Sequence, residues 1–402
     1  MPFKRRNFLQ KLGLMSVLPA TDLFLDQLPD TDAVTPINTR EIKITGINCF
    51  TLEFDKITPL SWNAITKSGG SKPKVDFLEL MTDVGIKGIS VTKGPRSLVE
   101  KFAKKIRGLN LMEWEKVWHH MFYYDRKPVA KGLDLHAIGS VDMAVWDIIG
   151  KALNLPVHAV LGTFRTEIPA YAAGGYYEEN KGISELVDEM ETYAREGFQF
   201  VKMKVAGLPA RQDAKRVRAV CQALGNDVRV MIDANNGYAS AYEAIRFGRM
   251  VEDLDLYWFE EPVAPDDWRG NAEVKDELDI PVVAGENEYT RWGARDLIDN
   301  NCCDILNLDT IKAGGITEYK KIAALASAYH IPVAPHGTAH MNIHMVAALD
   351  NALILETYPL KARDFNPALP AFELKNGQVH APMTPGLGME LADDFIKKYK
   401  IG

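Results

Sequence analysis

Cysteine is scarce, with four thiols in 402 residues. Cys49 and Cys221 stand alone, none of the four has metal-ligand spacing, and adjacent Cys302 and Cys303 have poor geometry for bonding to each other. No cysteine-built metal site and no structural disulfide are expected. Positive charge is also short. A net charge of −7 gives no reason to expect nucleic acid, and no polybasic run follows the N-terminus to meet an anionic membrane. A clear small-x-small cleavage site after the first apolar stretch is missing too.

The first residues differ from the rest. Lys4-Arg5-Arg6-Asn7-Phe8-Leu9 and the mildly apolar Leu12–Ala20 resemble a twin-arginine export signal. The alternative is a basic N-terminal helix of a cytosolic protein. Export by that route delivers folded protein, so a chain without disulfides suits a periplasmic destination. The acidic stretch Asp26–Asn38 completes a signal and linker over residues 1–40.

At this length two domains are expected. Residues 41–165 read as an α+β unit. EIKITGINCFTLEF and FLELMTDVGIKGISVTK alternate as antiparallel strands around a turn at Asp83-Val84-Gly85. Between them, Asp55–Lys74 is a polar loop carrying Trp62, of the kind that forms a lid or binding loop, and composition alone fits a disordered surface loop equally well. Helical spacing follows at Arg96–Arg107, Met112–Tyr124 and Leu135–Leu153. Asp142 and Asp147 in the third helix read as hydrogen-bonding supports, because a buried carboxylate needs partners.

Residues 166–360 carry the organising pattern. Short apolar runs end in Lys204, Asp233, Glu260, Glu286, Asp309, His336 and Glu356, roughly 20–30 residues apart, the length of one strand, one helix and two loops. Eight strands fit: Ile168–Ala172, Phe200–Val205, Val228–Asp233, Tyr257–Glu260, Val282–Glu286, Ile305–Asp309, Val333–His336 and Leu353–Glu356. Seven helical stretches lie between them, and TYPLKARDFNPALPAF supplies no eighth. The fold class is therefore α/β, a (β/α)7β variant of the TIM barrel with its strand ends at one face. Residues 361–402 are expected to return to the capping unit.

Asp233, Glu260 and Glu286 end three successive strands. Unneutralised they repel one another, and hard oxygen ligands of this kind suit Mg²⁺. Lys202 and Lys204 share one side of a strand, where mutual repulsion and burial are expected to depress their pKa values. Across the ring, Asp309 can orient His336. Glu356 is placed to donate a hydrogen bond or proton to a substrate oxygen. Asn235, Lys312 and Trp62 are candidate substrate contacts, with Asn287, Thr338 and His340 beside them.

KMK, DANNGY, FEEP, GEN, DTIKAGGIT and PHG, with the Ala/Asp/Trp-rich helix at Ala137–Gly150 and Pro385-Gly386-Leu387-Gly388, resemble the enolase superfamily, in particular its mandelate racemase subgroup. The resemblance implies one Mg²⁺ on Asp233, Glu260 and Glu286. It also implies Lys204 as one general base with Lys202 beside the substrate carboxylate, Asp309–His336 as the opposite dyad, and Glu356 as an electrophile. This superfamily is a known case of a Lys or His base working with Mg²⁺. The implied partner is a small-molecule carboxylate, a sugar acid, and the implied assembly a homo-oligomer, from dimer to octamer. Dehydration of an aldonate or aldarate is the expected reaction. Racemisation, epimerisation or cycloisomerisation is the alternative, and a non-catalytic exported sugar-acid binder is a third reading.

Overall fold

The computed structural model describes residues 41–54, 60–68, 72–123, 127–359 and 372–401. The expected signal and linker, residues 55–59 and 69–71 of the loop expected at Asp55–Lys74, and most of the stretch after Tyr358 lie outside the described residues.

Four antiparallel strands form the capping sheet in the order Lys400–Ile401, Ile44–Glu53, Lys74–Thr82, Lys87–Val91. Facing Phe50 and Phe77 are both buried, with rings stacked at 5.5 Å. The connecting turn closes through Thr82 N–H to Ile86 O, and Gly85 takes the left-handed φ of 81° that its lack of Cβ allows.

Helix Arg96–Lys105 covers this sheet with Val99 and Phe102, and helix Trp114–Phe122, with Val117 and Met121 buried, packs on the neighbouring helices. Helix Leu133–Ala152 is buried on every face from Ala137 to Gly150, a stretch apolar but for Ser140, Asp142 and Asp147. Its small residues permit close approach: a Cβ on Gly88 of the sheet would fall 2.3 Å from Ala144 O, and one on Gly139 would fall 1.9 Å from Ile311 O in the barrel. The helix is thus wedged between cap and barrel. Asp142 accepts from Thr317 N–H and Oγ1–H, and Asp147 accepts from Ile89 and Leu387 N–H while pairing with Lys151. Both aspartates are interlayer supports.

The barrel strands are Glu167–Ala173, Phe200–Lys204, Arg229–Asp233, Trp258–Glu260, Val282–Ala284 and Ile305–Leu306, all parallel to their neighbours. Single bridges at Val333 carry the ring onward, and Leu355–Thr357 pairs with Glu167–Ala173 to close it. The sixth and seventh strands are shorter than the sequence suggests. Pro332 and Pro335 lack ladder donors, and Asp309 turns its Oδ1 back onto the N–H groups of Ile311 and Lys312. Tyr171, Met231, Trp258, Val283, Ile305 and Ile354 fill the barrel interior. Val201, Met203 and Val205 belong to the other apolar layer, so Lys202 and Lys204 face inward.

Seven helices surround the ring, from Ile183–Arg195 to Ala339–Ala348. The tail then returns to the cap. Gln378–His380 pairs with Glu167–Pro169, helix Asp393–Tyr399 sets Phe395 and Tyr399 against Phe54, and Lys400–Ile401 joins the capping sheet. No helix among the described residues is long and apolar enough to cross a membrane.

Candidate active site

Parallel register brings the charged strand ends together. Lys204 lies opposite Asp233, and Asp233 opposite Glu260. Lys204 Nζ stands 2.5 Å from Asp233 Oδ2. Lys202 Nζ lies 2.9 Å from Glu260 Oε1, 2.9 Å from Glu356 Oε1 and 3.4 Å from Asp233 Oδ2, so one ammonium binds three carboxylates. All five side chains are buried. From the seventh strand position, His336 sets Nδ1 3.0 Å from Asp309 Oδ2 and Nε2 3.1 Å from Glu286 Oε2. Gly337 N–H donates to Glu356 Oε2 at 3.0 Å.

The lysines differ from the expectation of depressed pKa values. Burial pulls both down, but Glu260, Glu356 and Asp233 around Lys202, and Asp233 beside Lys204, outweigh it and raise both. Opposite charge at contact distance beats the lysine–lysine repulsion. Glu356 is likewise corrected: burial opposes its charge, yet Lys202, His336 and the Gly337 N–H hold it down at about 2, making it an ionised acceptor rather than a proton donor. For His336, burial is outweighed by Glu286, Asp309 and Glu356, which raise it. Burial pushes Glu260 up to about 7, helped by Asp233 and Glu356 and opposed by Lys202.

Do these residues suit a divalent cation? Among the described residues, no group of three or more His, Cys, Asp or Glu side chains already forms a coordination shell. Glu286 is turned to His336, with Lys312 Nζ 3.9 Å from its other oxygen. The donor chemistry nevertheless fits a hard cation. Buried Glu261 is driven well above the carboxylate range by burial and then by the charges of Glu286, Asp233 and Glu260, a measure of how closely these anions crowd. Asn307, which donates to Glu260 Oε1, leaves its own Oδ1 buried without a partner.

Of the other expected contacts, Trp62 is half-buried and meets Tyr176 edge-on at 5.9 Å, and that tyrosine ring lies 5.6 Å from Lys204 Nζ. Asn235 uses its backbone: its N–H donates to Asp233 Oδ1, and its carbonyl accepts from Asn63. Lys312 donates its N–H to Asp309 and lies 3.5 Å from Asn287 Oδ1. Asn287 donates to Glu261, and His340 stacks on Phe372 at 4.4 Å. Thr338 sits at the start of helix Ala339–Ala348. Sequence reasoning missed Lys93, whose ammonium pairs with Asp309 Oδ2, and Asn63, which ties to the barrel the hairpin around Trp62 made by antiparallel Leu60–Ser61 and Lys67–Ser68. Asn307, two positions before Asp309 on the same strand run, was within reach of the period-two argument.

Comparison with known proteins agrees with this geometry. Residues 185–395 match the family model described as Enolase C-terminal domain-like, and residues 55–162 match Mandelate racemase / muconate lactonizing enzyme, N-terminal domain. An arabinonate dehydratase of Saccharolobus solfataricus is 33% identical over 294 residues, covering 71% of this chain and 78% of that protein. The crystal structure of the 3,6-anhydro-D-galactonate cycloisomerase from Zobellia galactanivorans superposes with a TM-score of 0.79 at 34% identity, over 90% of this chain and all of that one (100%). A mandelate racemase/muconate lactonizing enzyme from a marine actinobacterium, crystallised in complex with magnesium, gives a TM-score of 0.77 at 30% identity, over 90% of this chain and 100% of that one. With both domain models matched and the strand-end residues assembled in one barrel mouth, the chain belongs to the enolase superfamily, in its mandelate racemase subgroup, and is an enzyme of that group.

Proposed function

We propose that the enzyme removes the proton alpha to the carboxylate of an acid sugar and expels the β-hydroxyl as water, giving a 2-keto-3-deoxy acid. The observation that carries this reading is the pair of proton-transfer groups flanking one buried carboxylate cluster: Lys204 from the second strand, which takes the alpha proton in its neutral form, and His336 from the seventh. Asp233, Glu260 and Glu286 would hold Mg²⁺, which supplies Lewis-acid polarisation of the substrate carboxylate when bound. Lys202, already an ammonium among carboxylates, faces the oxygen on which negative charge grows, where a fixed charge in a buried site acts strongly. Asp309 keeps the His336 ring oriented. His336 Nε2 then delivers a proton to the departing hydroxyl, so the C–O bond breaks and water leaves.

Cycloisomerisation is the second reading, favoured by the cycloisomerase that matches over nine-tenths of this chain (90%). It needs the same proton removal and differs in what His336 protonates. Incubation of Mg²⁺-loaded enzyme with aldonates, aldarates and their cyclic forms in D₂O separates the two. A 2-keto product one water lighter than its substrate that vanishes in His336→Asn supports dehydration. A product isomeric with its substrate, keto or not, formed without loss of water overturns it in favour of cycloisomerisation. We also propose periplasmic export through Arg5-Arg6, read from the N-terminal pattern alone, and a homo-oligomeric assembly. Cell fractionation of an Arg5→Lys, Arg6→Lys variant tests the former and light scattering the latter.

A further inference from the structure

Lys93 belongs to the capping unit, two residues past strand Lys87–Val91, and is held there by its neighbours. Its N–H donates to Ser140 Oγ at 2.9 Å, Ser140 Oγ–H donates to His136 O at 2.8 Å, and Ser90 Oγ–H donates to Ser140 O at 2.7 Å. Gly94 follows with φ 89°, turning the chain away. The side chain therefore leaves a rigid base and crosses to the barrel, where its ammonium binds Asp309 Oδ2, the oxygen that His336 Nδ1 also uses. Asp309 Oδ1 is occupied by two backbone donors, Ile311 N–H at 3.0 Å and Lys312 N–H at 2.9 Å. With Asp309 only 1% exposed, nothing in solvent competes for these positions.

We propose that Lys93 is a positioning residue for the Asp309–His336 pair, a fourth donor from the capping unit that fixes the carboxylate and makes the dyad complete only when cap and barrel are docked. The proposal rests on His336 being the acid/base group of the proposed function. Three donors on Asp309 come from its own turn and its partner histidine. The fourth is the one that reports on the other domain. Rotation of the carboxylate about its Cβ–Cγ bond moves the acceptor of Nδ1 and so re-aims Nε2, the nitrogen that faces Glu286 and Glu356.

Lys93→Gln and Lys93→Arg test it by kinetics and by one-dimensional proton NMR. The His336 ring N–H shared with Asp309 is identified by its loss in His336→Asn. Lys93→Gln is expected to lower kcat by about 10–100-fold with KM changed far less, and to shift or broaden that resonance, while Lys93→Arg recovers most of both. An unaltered resonance with wild-type kcat overturns the proposal. So does a rise in KM alone, which makes Lys93 a substrate contact. If no acid sugar is turned over, the proposed function fails, and the resonance still decides the positioning role. Unfolding by urea confirms that each variant is folded.

Discussion

Gly139 lies where helix Leu133–Ala152 crosses the backbone that follows Asp309. An alanine there puts its methyl carbon 1.9 Å from Ile311 O, 2.8 Å from Ile311 C and 3.0 Å from Gly315 N, where ordinary contact begins at 3.4 Å. All three are backbone atoms, so no side chain can swing aside. Helix or loop must retreat by more than about 1 Å in an interior packed at crystal-like density. Overpacking costs about 1–3 kcal/mol, and two rigid backbones place this site at the upper end. Alanine recovers about 1 kcal/mol of helix propensity, leaving a net loss of about 2 kcal/mol. A retreating loop also carries Asp309 away from Lys93, so kcat falls as well. The assay is urea unfolding of Gly139→Ala beside Gly85→Ala, whose methyl meets nothing within 4 Å and suffers only its left-handed φ. An unfolding midpoint for Gly139→Ala equal to wild type would refute the wedge.

Three further outcomes follow from particular contacts. Asp142 is pushed up to about 7, burial outweighing its bonds from Thr317. An acid whose folded pKa is raised stabilises the fold fully below its unfolded pKa, and that contribution is lost as pH rises through the folded value. Asp142→Asn is therefore expected to gain on wild type between pH 4 and about 7 in urea unfolding followed against pH. Asn63→Ala removes donors at 2.7 Å to Asn235 O and 3.3 Å to Ala234 O, and acceptors for Ile65 and Thr66 N–H. About 1–3 kcal/mol of stability should go, and KM should rise as the hairpin bearing Trp62 loosens. His336→Asn keeps a hydrogen-bonding amide but removes the acid/base group, so the step it serves is expected to fall by about 10²–10⁴-fold in a steady-state assay, with the fold retained.

The barrel was legible because its signal is local and repeated. A strand that must be apolar on the helix side and must end at the barrel mouth leaves a short hydrophobic run with a polar terminus, and Lys202-Met203-Lys204 shows both faces in three residues. Asp233, Glu260 and Glu286 could be placed on adjacent strands from spacing alone. Lys93 could not. Its partner Asp309 lies 216 positions away, and the Thr92-Lys93-Gly94-Pro95 corner looks like any strand exit. Asn63 reaches Asn235 across 172 positions, with the same result. The lysine pair was placed correctly on the interior face but read with the wrong electrostatic sign, because a pKa is a sum over every neighbour and the carboxylates of Glu260 and Glu356 arrive from other strands. The short sixth and seventh strands had a visible cause in Pro332 and Pro335, whose missing donors a run of apolar residues conceals.

The central claim is that the carboxylates of the barrel mouth and the flanking Lys204 and His336 act as one proton-abstracting site. Alpha-deuterium incorporation into acid sugars in D₂O with Mg²⁺ measures that step directly, whatever follows it. Wild-type enzyme should label at least one acid sugar at the alpha carbon or convert it, and Glu260→Gln should lower that rate by at least about 100-fold while remaining folded. Labelling that persists unchanged in Glu260→Gln would contradict the account.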